Sequence, residues 1–298
     1  MSGAARETMH RDGAAPRFAA CPACSGSLRA WRDDVRVCRS CGSSCRAEAP
    51  TARARDSHYA GYYDEVPPLS PLTARRLEEW ATSLLPFRRT GRILEVGCGA
   101  GHFLAAARAA GFEAWGTEIS ASGLERLRRE GFQVLAGELT ALALPAGHFD
   151  AVVLFEVLEH LPGPRSYLEE CRRVLRDGGV LFLTTPNFGS LSRRLLGERW
   201  RVIDPEHLVL FTRRGLRRAL EGAGFRKAAV ASRNVDPGEL IRGLRRRPVL
   251  DTGERQARTD AVREALSARP WLGAVKQTVN AGLRLLDLGD TLEARALR

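Results

Sequence analysis

Leu94-Glu95-Val96-Gly97-Cys98-Gly99-Ala100-Gly101 is the stretch on which the fold turns. Arg92 to Val96 reads as a buried strand running into glycines. His102 to Ala110 follows as an alanine-rich helix stopped by Gly111. The alternation then repeats. Glu113 to Glu118 is a second strand, Ala121 to Glu130 a second helix, and Gln133 to Ala136 a third strand. Asp150 to Phe155 has the continuous apolar core of a strand covered on both faces. Ser166 to Leu175 is a helix closed by Asp177-Gly178-Gly179, and Val180 to Thr184 a fifth strand. Arg213 to Ala223 is a helix, and Phe225 to Arg233 a sixth strand. This order predicts an α/β fold, a doubly wound, mostly parallel sheet with helices on both faces. The ending Gly289 to Leu297 alternates as a last strand would, which makes the Arg-rich helical stretch 235–286 an insertion before it.

The glycines let backbone approach a ligand closely, and the helix starting near His102 presents free N–H groups. Both features also suit a dinucleotide, so Glu95 decides the balance. A carboxylate two residues before the first glycine would repel a pyrophosphate, and it suits an ammonium group and a sulfonium. Glu118 closes the next strand where a ribose diol would sit. Together they favour S-adenosylmethionine over a nicotinamide cofactor. The bland alternative is a plain strand-to-helix turn with a surface Glu.

The run Glu95 to Gly101 resembles the first motif of class I S-adenosylmethionine-dependent methyltransferases, and Glu118 matches their ribose-binding acid. Gly137-Glu138-Leu139 resembles the stretch that contacts the adenine, although Asp is commoner than Glu138. Pro145 to Asp150 and Leu175-Arg176-Asp177-Gly178-Gly179 resemble the turns into the fourth and fifth strands. The likeness covers about Tyr59 to Arg233. It implies a seven-stranded Rossmann-like sheet of order 3-2-1-4-5-7-6, with the last strand, Asp290 to Leu297, antiparallel. The cofactor-binding set it implies is Glu95, Gly97, Cys98, Gly99, Gly101, His102, Glu118, Ile119, Glu138, Leu139 and Phe155.

After the fourth strand comes Phe155-Glu156-Val157-Leu158-Glu159-His160. On a helical turn, Glu156, Glu159 and His160 would share one side, facing the cofactor cleft. Two carboxylates and an imidazole are expensive to bury unless something satisfies them. His207, in Pro205-Glu206-His207-Leu208, is a second histidine for the cleft. In one reading His160 or His207 is a general base on a substrate hydroxyl. In another, Glu156, Glu159, His160 and His207 hold a divalent cation such as Mg²⁺ that acidifies the hydroxyl. In a third they are a hydrogen-bonded support for the loop. The arrangement is similar to that of small-RNA 2′-O-methyltransferases and ubiquinone-pathway O-methyltransferases, whose corresponding acids and histidines coordinate metal. Tyr59, Tyr62 and Tyr63 could cover the cofactor, or pack a first helix on the sheet.

Near the N-terminus, Cys21-Pro22-Ala23-Cys24 and Cys38-Arg39-Ser40-Cys41 form two C-x-x-C turns. Four thiolates at this spacing suit tetrahedral structural Zn²⁺, and their order resembles a zinc ribbon. Cys45 is a neighbour outside the pattern. The expected domains are a frayed tail over 1–20, a ribbon over 21–49, and a methyltransferase domain over 56–298 with residues 235–286 as a helical insertion or lid.

The longest apolar runs are strand-sized, which predicts no transmembrane helix. Residues 1–20 lack the apolar core of a secretory signal. A reducing, cytoplasmic setting is expected. The net charge of +11 comes almost wholly from arginine, the lysines being Lys227 and Lys276. That bias looks like a coding background, although Arg242, Arg245, Arg246 and Arg247 could contact phosphates. The leading expectation is O-methylation of a small-molecule hydroxyl, on a glycan or secondary metabolite. The alternative is an RNA methyltransferase docking through the ribbon, similar to bacterial ribosomal-RNA guanine methyltransferases, which lack the Glu-x-x-Glu-His cluster. A non-catalytic cofactor-holding module is a third class.

Overall fold

The computed structural model describes residues 17–32, 34–48, 50–51, 66, 69–235, 240–241, 244, 282 and 286–298. Residues 1–16 of the expected tail, Tyr59, Tyr62, Tyr63, the four arginines named above and nearly all of the expected insertion lie outside them.

The main sheet is built from β4 (Arg92–Val96), β5 (Glu113–Glu118), β6 (Gln133–Ala136), β7 (Phe149–Phe155), β8 (Leu175–Pro186), β10 (Arg226–Arg233) and β11 (Thr291–Leu297). Its order is β10-β11-β8-β7-β4-β5-β6. The expected seven-stranded arrangement is therefore present. β11 runs antiparallel to both neighbours, with Ala294 opposite Leu183 on one side and Val230 on the other. The central strands carry apolar side chains on both faces because both are covered: Ile93, Leu94, Ala151, Val152, Val153, Leu154, Leu181 and Phe182 are wholly buried.

The helices are α1 (Pro71–Thr82), α2 (His102–Ala109), α3 (Ala121–Arg129), α4 (Pro164–Val174), α5 (Leu191–Leu196) and α6 (Arg213–Gly222). Ser70, Ser190 and Thr212 cap α1, α5 and α6 with their hydroxyls. β8 starts earlier than expected, because Leu175 already pairs with Phe149 ahead of the glycine turn. Among the described residues no helix is long and apolar enough to cross a membrane.

Gly101 adopts φ +75°, and a Cβ there would lie 2.2 Å from Leu127 Cδ2. Left-handed strain and overpacking add, so Gly101→Ala should lower unfolding stability by about 3 kcal/mol. A shift in the urea midpoint at unchanged slope checks this.

A second, smaller sheet holds the paired cysteines. β1 (Leu28–Arg32), β2 (Val35–Cys38) and β3 (Ser44–Arg46) form an antiparallel meander. Its fourth strand, β9 (Val209–Leu210), comes from far along the chain and pairs with Ser44 and Cys45. Arg17 also forms a bridge to Glu48, so the chain is already tied down before the first cysteine.

Candidate active site

β4 and β5 end side by side and deliver the two acids. The turn after β4 holds Gly97, Gly99 and Gly101 at φ +66°, +50° and +75°, a run that only glycine takes without strain. It wraps back so that the Gly99 amide donates to Glu118 Oε2 at 2.8 Å. Ile119 and Ser120 donate to the other Glu118 oxygen at 2.8 and 2.9 Å. Glu118 is thus locked at the strand end by three amides.

Glu95 is buried, and its Oε2 makes no hydrogen bond among the described residues. Burial first, and then the charge of Glu118, push its carboxyl well above the ordinary value, partly offset by the Leu104 amide. An unsatisfied buried acid of this kind calls for a cationic partner. That donor chemistry and the glycine cradle fit S-adenosylmethionine.

A cavity of about 600 Å³ opens beside this corner. Of the expected cofactor set, Gly97, Glu118, Ile119, Glu138 and Leu139 line it. Cys98, Gly99 and Gly101 build the turn, and His102 starts α2. The Phe155 ring stacks on Trp80 at 4.7 Å and meets Phe103 at 4.9 Å, so it joins an aromatic cluster of the core. Tyr167, which sequence reasoning passed over, lines the same cavity and donates its hydroxyl to Glu138. Its place on the apolar side of α4 makes it look like core; only the sheet order brings it to Glu138.

The expected helical turn at Glu156 needs correcting. Glu156 takes φ +55° and its amide bonds to Thr184 O at 3.0 Å, which keeps it on the sheet. The helix that follows is a single 3₁₀ turn, Leu158–His160. Glu156 and Glu159 therefore do not share a helix face, though both line the cavity.

Glu159 is fully buried. Its Oε2 accepts from Thr185 Oγ1 at 2.9 Å, and its Oε1 makes no hydrogen bond among the described residues. Burial, and then Glu156, hold its carboxyl well above the usual range. His160 Nε2 lies 4.0 Å from that unsatisfied oxygen. His160 Nδ1 contacts Glu206 O at 3.2 Å and His207 Nδ1 contacts Val202 O at 2.7 Å. Carbonyls only accept, so each Nδ1 carries a proton, which leaves Nε2 as the atom through which a neutral ring would bind a metal. The rings lie 4.7 Å apart. Ligand atoms of Glu159, His160 and His207 all fall within 4.8 Å of one another. Glu156 stands outside that group. Burial pushes the His207 imidazole below its usual range, which keeps it neutral. One carboxyl group and two imidazoles, each presenting Nε2, fit a divalent cation.

In the small sheet, Cys21 Sγ lies 3.6 Å from Cys41 Sγ, and Cys24 Sγ 3.6 Å from Cys38 Sγ. All four sulfurs fall within 4.8 Å of one another and none is in a disulfide. A tetrahedral site with metal–sulfur bonds of about 2.3 Å separates its sulfurs by about 3.8 Å. The amides of Ser40 and Cys41 point at Cys38 Sγ, at 3.3 and 3.4 Å, as donors to a thiolate do. The Cys41 thiol is pushed down to about 4 by its hydrogen bond from Cys21. Donor set and spacing fit zinc. Cys45 is buried alongside and pushed up to about 12 by that burial.

The methyltransferase-domain family profile matches residues 71–230. The chain is 33% identical over 131 residues to a ubiquinone biosynthesis O-methyltransferase of Methylococcus capsulatus, covering 42% of this chain and 53% of that protein. It is 30% identical over 198 residues to the protein of the same name from Ralstonia nicotianae, covering 62% and 78%. The chain thus spans about half the length of the first relative and over three quarters of the second. A solved S-adenosylmethionine-dependent methyltransferase from Archaeoglobus fulgidus shares the fold at a TM-score of 0.51 and 22% identity, over 76% of this chain and 93% of that one. With the sheet order, the glycine turn and the paired acids, these likenesses lead to one conclusion: the chain belongs to the class I S-adenosylmethionine-dependent methyltransferases.

Proposed function

We propose that this protein methylates a hydroxyl group of a small molecule, with Glu159, His160 and His207 at the acceptor end of the cofactor cavity. The observation that carries the reading is the convergence of a half-satisfied buried carboxyl group and two imidazoles on one point of the cavity wall. The ubiquinone biosynthesis O-methyltransferases among the relatives support oxygen as the acceptor atom.

When bound, S-adenosylmethionine supplies an activated methyl group, and a divalent cation lowers the pKa of an acceptor hydroxyl. Glu95 and the glycine turn receive the charged amino-acid end of the cofactor, and Glu118 receives the ribose. The Glu138–Tyr167 pair edges the adenine end. Glu159, His160 and His207 hold the cation and so orient the acceptor, and Glu156 stands beside Glu159. The gain in rate comes mainly from lining up nucleophile, methyl and sulfur.

The four paired cysteines hold a structural zinc, in a ribbon over 21–49. A reducing, cytoplasmic setting suits their unoxidised state.

Radiolabelled cofactor incubated with a metabolite extract and, separately, with total RNA tests the reading. Label is expected in a small-molecule fraction, as an alkali-stable ether. It should disappear on chelation and return with Mg²⁺ or Mn²⁺. Label confined to RNA would replace the small-molecule reading. Full activity after chelation would leave His160 or His207 as a direct base.

A further inference from the structure

His207 stands in a segment that has no regular structure of its own. From Arg201 to Leu208 the chain runs in turns without helix or strand, closed by bonds such as Ile203 N to Trp200 O and His207 N to Asp204 O. A ligand on such a segment needs outside support to hold one position. Its contacts lead to the cysteine ribbon.

Leu208 is the junction. Its amide donates to the Glu159 carbonyl at 2.7 Å, tying the two halves of the candidate metal group together through backbone. Its carbonyl accepts from the Arg46 amide at 2.8 Å. The next two residues form β9, which pairs with Ser44 and Cys45 of β3.

Beyond β9, Thr212 donates its amide to Ser43 Oγ at 3.1 Å and its hydroxyl to the Cys41 carbonyl at 2.7 Å. α6 starts there, packed so closely that a Cβ on Gly215 would lie 1.9 Å from Ser43 Oγ and 3.3 Å from Cys41 Sγ. Trp31 of β1 meets Phe188 edge-on at 5.6 Å. Val37, Leu210 and Trp200 share one buried cluster with Phe188.

The Arg46 side chain is only 8% exposed. It pairs with Asp34 and senses Asp204 of the histidine segment. The cofactor corner, by contrast, rests on β4 and β5 and their own amides.

We infer that the cysteine ribbon is the positioning element for the acceptor end of the site: its metal knuckle holds β3, β3 holds Leu208, and Leu208 sets His207 and Glu159 in register. Ser43 and Arg46 are positioning residues, reaching the chemistry through the 201–212 segment. This rests on the assignment of Glu159, His160 and His207 proposed above.

The test uses the full chain. Cys24→Ser protein, verified zinc-free, is compared with wild type for amide hydrogen exchange, Mn²⁺ binding and adenosylhomocysteine binding. The Leu208 and Leu210 amides should exchange at least about tenfold faster. Mn²⁺ affinity should fall by about tenfold, the usual size of a supporting-shell loss. Adenosylhomocysteine affinity should change by less than about twofold, because Glu118 is held by the amides of Gly99, Ile119 and Ser120, which lie outside the ribbon.

Zinc loss with exchange and Mn²⁺ affinity both intact would make the ribbon an independent appendage and overturn the inference. Should wild type bind no Mn²⁺ at all, the metal reading falls, and exchange at Leu208 with acceptor KM still decides the ribbon's role. Where Cys24→Ser does not fold, Ser43→Ala removes one clamp with the cysteines intact. It must raise exchange at Thr212 and Leu210 and raise acceptor KM, while the cofactor KM stays put. No change there counts against the inference equally.

Discussion

Glu95→Gln is expected to weaken adenosylhomocysteine binding on the order of 100- to 1,000-fold, the scale of leaving one partner of a buried charge pair uncompensated. The substitution keeps size and the hydrogen-bond acceptor, so the loss reports on charge. The same change should stabilise the ligand-free protein. Burial and Glu118 hold the native carboxyl well above 4.5. The folded chain therefore keeps a proton that the unfolded chain gives up once pH rises past the ordinary carboxylate value. Wild-type stability falls as pH climbs through that window, and a glutamine removes this part of the decline. Calorimetric binding and melting temperature against pH, with and without ligand, check both halves. A variant with wild-type affinity would remove Glu95 from the cofactor site.

Glu159→Gln should lower kcat/KM on the order of 100- to 10,000-fold while leaving cofactor affinity in place. Glutamine preserves the backbone bond from Leu208 to the residue 159 carbonyl, and its amide oxygen can still accept from Thr185. What disappears is the ionisable oxygen facing His160, the one that can turn anionic when a cation binds. Mn²⁺ binding should fall with the rate. Losing a half-satisfied buried carboxylate should also raise the melting temperature of the ligand-free protein. Unchanged kcat/KM would remove Glu159 from the chemistry. A lost rate with unchanged Mn²⁺ affinity would assign the residue to proton handling in place of cation binding.

The contrast between these two acids shows which parts of the site can be read along a chain. Glu95 is legible because its meaning is local: strand, acid, glycine turn and helix are contiguous, and the chemistry of a carboxylate before a phosphate-sized turn is decided within eight residues. Glu118 is legible in the same way, one β–α unit later. Glu159 and His160 are visible as a cluster, yet a helix was the wrong geometry for them, because a left-handed residue at Glu156 depends on its bond to the neighbouring strand. Phe155 sits beside the motif with a half-buried ring that packs on Trp80 and Phe103, contacts that no local pattern announces.

By itself, the sequence determined the order of strands and helices, the strand-to-turn corner that receives the cofactor, and the two C-x-x-C turns. All of these follow from short-range patterning: apolar period, glycine placement and ligand spacing act over a few residues. The tertiary structure alone decided that His207 meets Glu159, that Tyr167 meets Glu138, and that Val209 and Leu210 complete the cysteine sheet. Those pairs lie tens to more than a hundred residues apart. Only burial of both sheet faces, and the hydrogen bonding of a segment with no ladder of its own, selects which distant partners come together.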